Sequence, residues 1–558
     1  MREQKNIIRD LANCEENASA VIMKKGAFQE KKELVQIIPS VFYELHDVGR
    51  VHIHDMEFYD TTYNCLGILP SDFAKDAKDF HTAVNRLFGG IVELTNQQSG
   101  GIGILDFDGD LSKYIKDEDD DTLRREMMDL CHNLNLPVRK GCEKAYVTIN
   151  FGLSVSEKGR RLAAALLDAY RSGIYTFPNL VFTVKRGINR DKNDVNYPIF
   201  CKASETTAAC MNPTYLNLDA DFNSDMIPGK FGIMGCRSRV AANRFSDIGS
   251  LHRGNIAAAS INLVQLSLES ENNLERFLKL LDIEMENAKD QLLHRFDTLA
   301  VNGNLSHLKK DGLYLDADPG DNTHMLRNGT LAIGFIGLWD SFCILHNYRT
   351  LYCENEQKSL TIPSKILADF KEEGFLIVRH MREKTDAFSE ETNKNFSLLA
   401  SSGEGISGFF PSKDKALHSS SMISNTEYYT NSFHVPVYAN ISCFDKIDLE
   451  APFHALCNGG HISYVELAEA PMGNSEAICE LVTYACEKNI GYFGINYPMD
   501  VCRECGYKGT FDTCPSCGGS DIMRLRRVSG YLSEESAMTS GKKSELHRRF
   551  ANKGRVSF

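Results

Sequence analysis

Four cysteines near the C-terminus, Cys502, Cys505, Cys514 and Cys517, stand as two CxxC pairs in CRECGYKGTFDTCPSCG, with glycines or small residues after each pair. Each pair turns two thiolates toward one point, and four thiolates complete the tetrahedron that Zn2+ prefers in closed sites. With sulfur at every position no place remains for water or substrate, so the metal expected here is structural. Ribbons of this kind also occur in nucleic-acid binders, which makes a non-enzymatic zinc-ribbon binding protein one reading of the chain. Its charge speaks against that: 62 Lys and Arg against 75 Asp and Glu leave a net −13, a poor surface for non-specific contact with nucleic acid.

Shortly after the last of these cysteines, RRVSGYL at 526–532 centres on Gly530. Loss of a hydrogen from a glycine Cα leaves a radical conjugated with both neighbouring peptide groups, and only glycine can flatten there without a side chain clashing. Alone, such a pentapeptide is an ordinary loop. In its context it resembles the glycyl-radical loop of anaerobic (class III) ribonucleotide reductases, which follows a four-cysteine zinc site. VHIHDMEFYDTTYNCLGI at 51–68, NQQSGGIGILDFD at 96–108, MGCRS at 234–238, RGNIAAASINL at 253–263 and the stretch 428–467 are similar to family blocks in family order. Pyruvate formate-lyase and its relatives share an RVSGY loop but lack this ribbon, so a lyase of the glycyl radical class is the second enzymatic reading.

The resemblance implies a ten-stranded α/β barrel of two five-stranded halves, with a finger loop carrying a cysteine to the centre beside the glycyl loop. It makes Cys236 that fingertip cysteine, whose sulfur radical takes the 3′-hydrogen of the ribose, and makes Gly530 the store of the radical between turnovers, a built-in cofactor. Cys65 matches a second cysteine across the substrate, where a thiol can protonate the departing 2′-hydroxyl. An amide near the thiyl site falls to Asn255 in RGN, with Asn262 in INL as the other possibility, and Met234 reads as packing. The implied reaction turns ribonucleoside triphosphates into 2′-deoxyribonucleoside triphosphates, the precursors of DNA. The implied partners are a separate radical S-adenosylmethionine activating enzyme with its own 4Fe-4S cluster, formate or a thioredoxin-like protein as reductant, and a second copy in a homodimer. ASSGEGISG at 400–408 stands where the family usually has TPAEGLSGR; small residues and backbone N–H groups there suit phosphates, while the departure leaves Glu404 without an assigned role.

These residues need elements to hold them. Helical patterns run over roughly 272–300, 363–390 and 475–489, and short apolar runs such as LVFTV at 180–184 and YVELA at 464–468 read as strands, an alternation that suggests α/β architecture. With no repeat or linker before residue 500, the expected division is a catalytic barrel at 1–500, the ribbon at 501–519, and the radical loop with its tail at 520–558. The HIHD block near residue 52 leaves little room before it for an ATP-binding cone, so none is expected. KDEDDD at 116–121 reads as a solvated loop. Strand alternation would put His52 and His54 on one face and Asp55 on the other, in structural roles. Seventeen cysteines suit metal binding or chemistry inside a cell better than disulfides. The charged N-terminus without a signal-peptide core, and the lack of any run of about 18 apolar residues, point to a cytoplasmic protein with no membrane contact.

Overall fold

The computed structural model describes residues 17–553 except 141, 311, 318–320, 353–358 and 528. The charged residues 1–16 and the final 554–558 lie outside it. The three long helical patterns form Leu274–Asn302, Ser364–Thr392 and Ser475–Glu487. Asn273 caps the first by accepting from the Arg276 N–H, and Phe277, Leu281, Ala288, Leu292, Phe296 and Leu299 recur at helical spacing on its buried side. The acidic run is only partly a loop. Asp119 accepts from the Thr122 N–H, and Asp120 and Asp121 begin the helix Asp120–Leu134, where carboxylates are favoured by the N-terminal backbone dipoles.

In chain order the strands are β1 (Val51–Ile53), β2 (Leu66–Ile68), β3 (Ile102–Ile104), β4 (Val147–Phe151), β5 (Asn179–Val184), β6 (Thr214–Asn217), β7 (Ile233–Met234), β8 (Ser238–Arg239), β9 (Asn255–Asn262), β10 (Thr330–Ile336), β11 (Asn395–Ala400), β12 (Ser463–Glu466), β13 (Tyr492–Asn496), β14 (Met499–Cys502), β15 (Lys508–Gly509), β16 (Ile522–Arg527) and β17 (Leu532–Glu534). LVFTV falls inside β5, and YVELA supplies the last three residues of β12, which ends at Glu466.

Strands β2 to β6 run parallel to one another. So do β9, β10 and β11, and likewise β12 and β13, while β13 meets β6 antiparallel. Two seams join the resulting seven-stranded and four-stranded sheets. At one, Ala400 N–H donates to Gly460 O at 2.9 Å and Gly459 N–H to Leu398 O at 2.8 Å, carrying β11 onto the segment before β12. At the other, Cys65 N–H donates to Asn255 O at 3.1 Å and Gly67 N–H to Arg253 O at 2.9 Å, tying β2 to the start of β9. With β1 an antiparallel addition to β9, the ring holds ten strands in two halves of five. Parallel strands covered on both faces read as continuous apolar runs, and β9 and β10 are buried throughout.

The C-terminal strands form their own sheet, in the order β15-β14-β16-β17. β14 begins at Met499 and pairs with β16, so the first ribbon cysteine, Cys502, and the strand before Gly530 share one sheet. Met499, Val501, Leu525 and Leu532 of this sheet make a small core with Met211 and Tyr497, distinct from the main one.

Candidate active site

β7 and β8 pair as a hairpin whose tip is Gly235, Cys236 and Arg237. The barrel wall holds this finger by polar side chains on β4: Thr148 Oγ1 donates to Gly235 O at 2.8 Å, and Asn150 both donates to Ile233 O at 2.9 Å and accepts from Ile233 N–H at 2.8 Å. Glycines on the neighbouring wall give it room. A Cβ at Gly101 would come within 2.7 Å of Gly235 Cα, and one at Gly103 within 2.5 Å of Met234 Cγ. The glycines of the 96–108 block are therefore the space through which the finger enters. Met234 is fully buried beside Cys65 and Val240.

From the other side comes the turn between β16 and β17. Gly530 lies so close to the fingertip that a Cβ there would stand 2.4 Å from both Cys236 Cβ and Cys236 O. No other residue type fits, and one Cα–H of this glycine faces the cysteine. Arg237 Nη2 donates to Ser529 O at 2.5 Å, the Tyr464 hydroxyl donates to the same oxygen, and Arg527 Nη1 donates to Gly530 O at 3.2 Å. Tyr531 packs edge-on against Tyr146 at 5.5 Å and stacks on Phe177 at 5.6 Å, closing the loop behind the glycine.

Cys236 opens onto a cavity of about 1110 Å³, mouth included, which Cys65, Asn255, Glu404 and Tyr531 also line. Cys65 is 1 % exposed; burial pushes its thiol up to about 12, against the Asn255 N–H that reaches its sulfur at 3.1 Å, so the thiol is protonated at neutral pH. Burial also raises Cys236, and the Glu404 carboxyl adds to the effect. The two candidate amides separate along β9. Asn255, at its start, lines the cavity, with its amide against Thr330. Asn262, at its end, donates to Gly49 O and to the Asp414 carboxylate and caps the next helix.

Two thiolate knuckles stand outside the barrel. The sulfurs of Cys502, Cys505, Cys514 and Cys517 all lie within 4.8 Å of one another. A zinc tetrathiolate has sulfur edges of about 3.8 Å, so the set fits the ion with small adjustments. Gly506 and Gly518, both at φ +76°, let each knuckle turn back so that their N–H groups reach Cys502 O and Cys514 O at 2.8 and 2.9 Å.

A finger cysteine abutting a glycine in a ten-stranded ring is a specific arrangement, and sequence comparison agrees with it. The model of the family described as anaerobic ribonucleoside-triphosphate reductase matches residues 10–551. The chain belongs to that family. A relative of that name from Haemophilus influenzae is 29% identical, across 92% of this chain and 79% of its own length. A solved anaerobic ribonucleotide reductase overlays with a TM-score of 0.76 at 18% identity, covering 96% of this chain and 90% of that one. The Thermotoga maritima enzyme in complex with dATP and CTP gives 0.72 at 17% identity, covering 98% and 94%. The chain is thus an oxidoreductase of deoxyribonucleotide synthesis, and its fold is that of the anaerobic ribonucleotide reductases.

Several residues around the reductase cavity escape a reading of strand periodicity. β1 stops at Ile53, and Asp55 turns at φ +48°, so His54 and Asp55 both line the cavity instead of falling on opposite faces. Asp55 accepts from Asn64 Nδ2 at 2.6 Å and Ser99 Oγ at 2.7 Å. Burial alone would raise its carboxyl; Arg295 and these donors outweigh that and keep it below the ordinary range. Glu404 accepts from the Tyr531 hydroxyl at 3.1 Å, yet burial raises its carboxyl. Glu404 stands in the 400–408 segment that the sequence singles out without giving it a role, whereas no motif marks Tyr146, which only the convergence of distant segments brings to the cavity.

Proposed function

We propose that Gly530 stores the radical of this reductase and that Cys236 carries it to substrate. The observation that supports this is the direct packing of the Gly530 Cα against the fingertip cysteine. In this reading the Cys236 sulfur takes the 3′-hydrogen of a bound ribonucleotide, and Cys65, protonated across the cavity, gives a proton to the 2′-hydroxyl as it leaves as water. Asn255 hydrogen-bonds the ribose or the small reductant beside it. Gly405 and Ile406, at the start of the helix Ile406–Leu417, stand in the same cavity wall and offer backbone N–H groups to the triphosphate.

The thiols lining the cavity among the described residues are Cys65 and Cys236, with Asn255 against Cys65 where a dithiol mechanism would want a further sulfur. Formate entering the cavity suits this better than a thioredoxin-like protein. Zn2+ on Cys502, Cys505, Cys514 and Cys517 is structural and braces the tail. Residues 1–500 act as the catalytic barrel, with the ribbon at 501–519 and the loop and tail at 520–558 as its activation unit. A separate radical S-adenosylmethionine enzyme with a 4Fe-4S cluster installs the radical, and the enzyme works as a cytoplasmic homodimer; no described helix is long and apolar enough to cross a membrane.

Cys236→Ala tests the assignment. After anaerobic activation the variant keeps a glycyl electron paramagnetic resonance doublet but makes no deoxynucleotide, a loss of at least about 10⁴-fold, the scale seen when a reacting nucleophile is removed. Residual deoxynucleotide formation near the wild-type rate would show that the substrate radical starts elsewhere.

A further inference from the structure

Both carbonyls that flank the Gly530 Cα accept hydrogen bonds, from two buried arginines and a half-buried tyrosine, and the donors differ on the two sides. Ser529 O takes two, from Arg237 and Tyr464; Gly530 O takes one, from Arg527. Arg237, Arg527 and Ser529 are each 1 % exposed. Each donor is itself fixed. Arg237 also donates to Ala400 O at 3.2 Å and Ser401 O at 3.4 Å, Arg527 to Asn496 Oδ1 at 2.9 Å and to Met211 O, and Tyr464 stands on β12 stacked against His434. Charged donors shielded from water polarise a carbonyl more strongly than neutral or solvated ones.

We propose that these three side chains set how strongly Gly530 holds its hydrogen, and so set the balance of hydrogen exchange with Cys236. The proposal rests on Gly530 being the radical site. In that exchange the Cys236 S–H bond breaks, a Cα–H bond forms at Gly530, and the unpaired electron passes from carbon to sulfur; the reverse step restores both, and nothing else is consumed. A glycine Cα radical is shared with the nitrogen on one side, which pushes electron density toward it, and with the carbonyl on the other, which draws density away. A donor on Gly530 O strengthens the drawing carbonyl and steadies the radical. Donors on Ser529 O pull the Gly530 nitrogen lone pair into the preceding amide, so that nitrogen gives less to Cα and the radical is held less firmly. Arg527 therefore favours storage, while Arg237 and Tyr464 favour release to sulfur. Arg237 follows Cys236 in the chain, so one residue both anchors the fingertip and tunes the glycine beside it.

The test compares wild type, Tyr464→Phe and Arg527→Lys, activated anaerobically with a radical S-adenosylmethionine activating enzyme and examined by electron paramagnetic resonance. Tyr464→Phe should narrow the α-proton splitting, because more spin moves onto nitrogen. It should also lower kcat by about threefold to tenfold with KM unchanged, the scale of one hydrogen bond felt after substrate binds. Arg527→Lys should widen the splitting and shorten the radical's lifetime. Splitting is read from whatever radical forms, so a low yield does not blur it, and Tyr464→Phe, which removes a single oxygen, decides alone if Arg527→Lys fails to fold. Equal splittings in wild type and Tyr464→Phe would overturn the proposal while leaving Gly530 as the radical site. A wild type without any glycyl doublet would instead overturn the reading on which it rests.

Discussion

Cys236 and Gly530 touch, yet they belong to regions built in different ways. The cysteine sits on a hairpin clamped by Thr148 and Asn150 inside a ring whose core runs through most of the chain. The glycine sits on a four-stranded sheet with a separate core of six buried residues, closed at its far end by four sulfurs. Apolar area sets how firmly a unit holds together, so the cysteine is carried by the firmer unit and the glycine by the looser one. Local opening draws on the least stable unit first. The contrast teaches that two groups can be in van der Waals contact while the units that carry them have separate stabilities.

The strongest way to break the comparison is to remove the metal site. Cys514→Ser should lose about one zinc per chain and abolish radical formation while the barrel stays folded, because the ribbon lies outside the main core. Metal analysis, electron paramagnetic resonance and circular dichroism together check this, and full activity in zinc-free protein would contradict it. Air sharpens the same contrast. A carbon radical combines with dioxygen, so activated protein exposed to air should be cut at Gly530 into a long fragment and a short one beginning near Tyr531, with unactivated protein and Gly530→Ala left whole. Mass spectrometry decides, and an intact chain whose radical signal has vanished would remove Gly530 from the account.

Acid should give the smallest effect. Glu545, on the C-terminal helix Ser540–Arg548, is 2 % exposed and bonds Lys542 at 2.6 Å and Arg549 at 2.9 Å. Burial alone would raise its carboxyl; Lys542 and Arg549 overcome that and hold it at about 2. A depressed carboxylate contributes stability that is complete above its unfolded value near 4.5 and is lost as pH falls toward 2, at most roughly 3 kcal/mol. The tail should therefore loosen in that window before the barrel does. Trp339, the chain's single tryptophan, is buried in the main core and reports the barrel by fluorescence, while hydrogen exchange reports the tail. Coincident transitions would mean the two regions unfold as one.

Much of the candidate site was legible as a set of residues that the fold brings together, because they stand in short spacings. Two CxxC pairs, a glycine in RVSGY and a cysteine in MGCRS each lie within a few residues of chain. The choice between Asn255 and Asn262 was not legible, since both belong to β9 and only its two ends differ in surroundings. Asp55 was misplaced because alternation holds only while the strand lasts, and a left-handed residue ends it. The closure of the ring was expected from the family resemblance alone. It depends on backbone hydrogen bonds at Gly460 and Arg253, where no side chain announces a strand.

The shared C-terminal sheet has a mechanical consequence. β14 and β16 are rungged together from Met499 opposite Leu525 to Cys502 opposite Ile522, so the knuckles and the strand leading to the glycine are one stiff piece. The ribbon is then a handle and β16 a shaft, and a zinc ion on the four sulfurs would be the rivet that keeps the handle from bending. Whatever grips the handle from outside can draw the glycine out and return it to the same spot, without prising apart the walls that hold the sulfur.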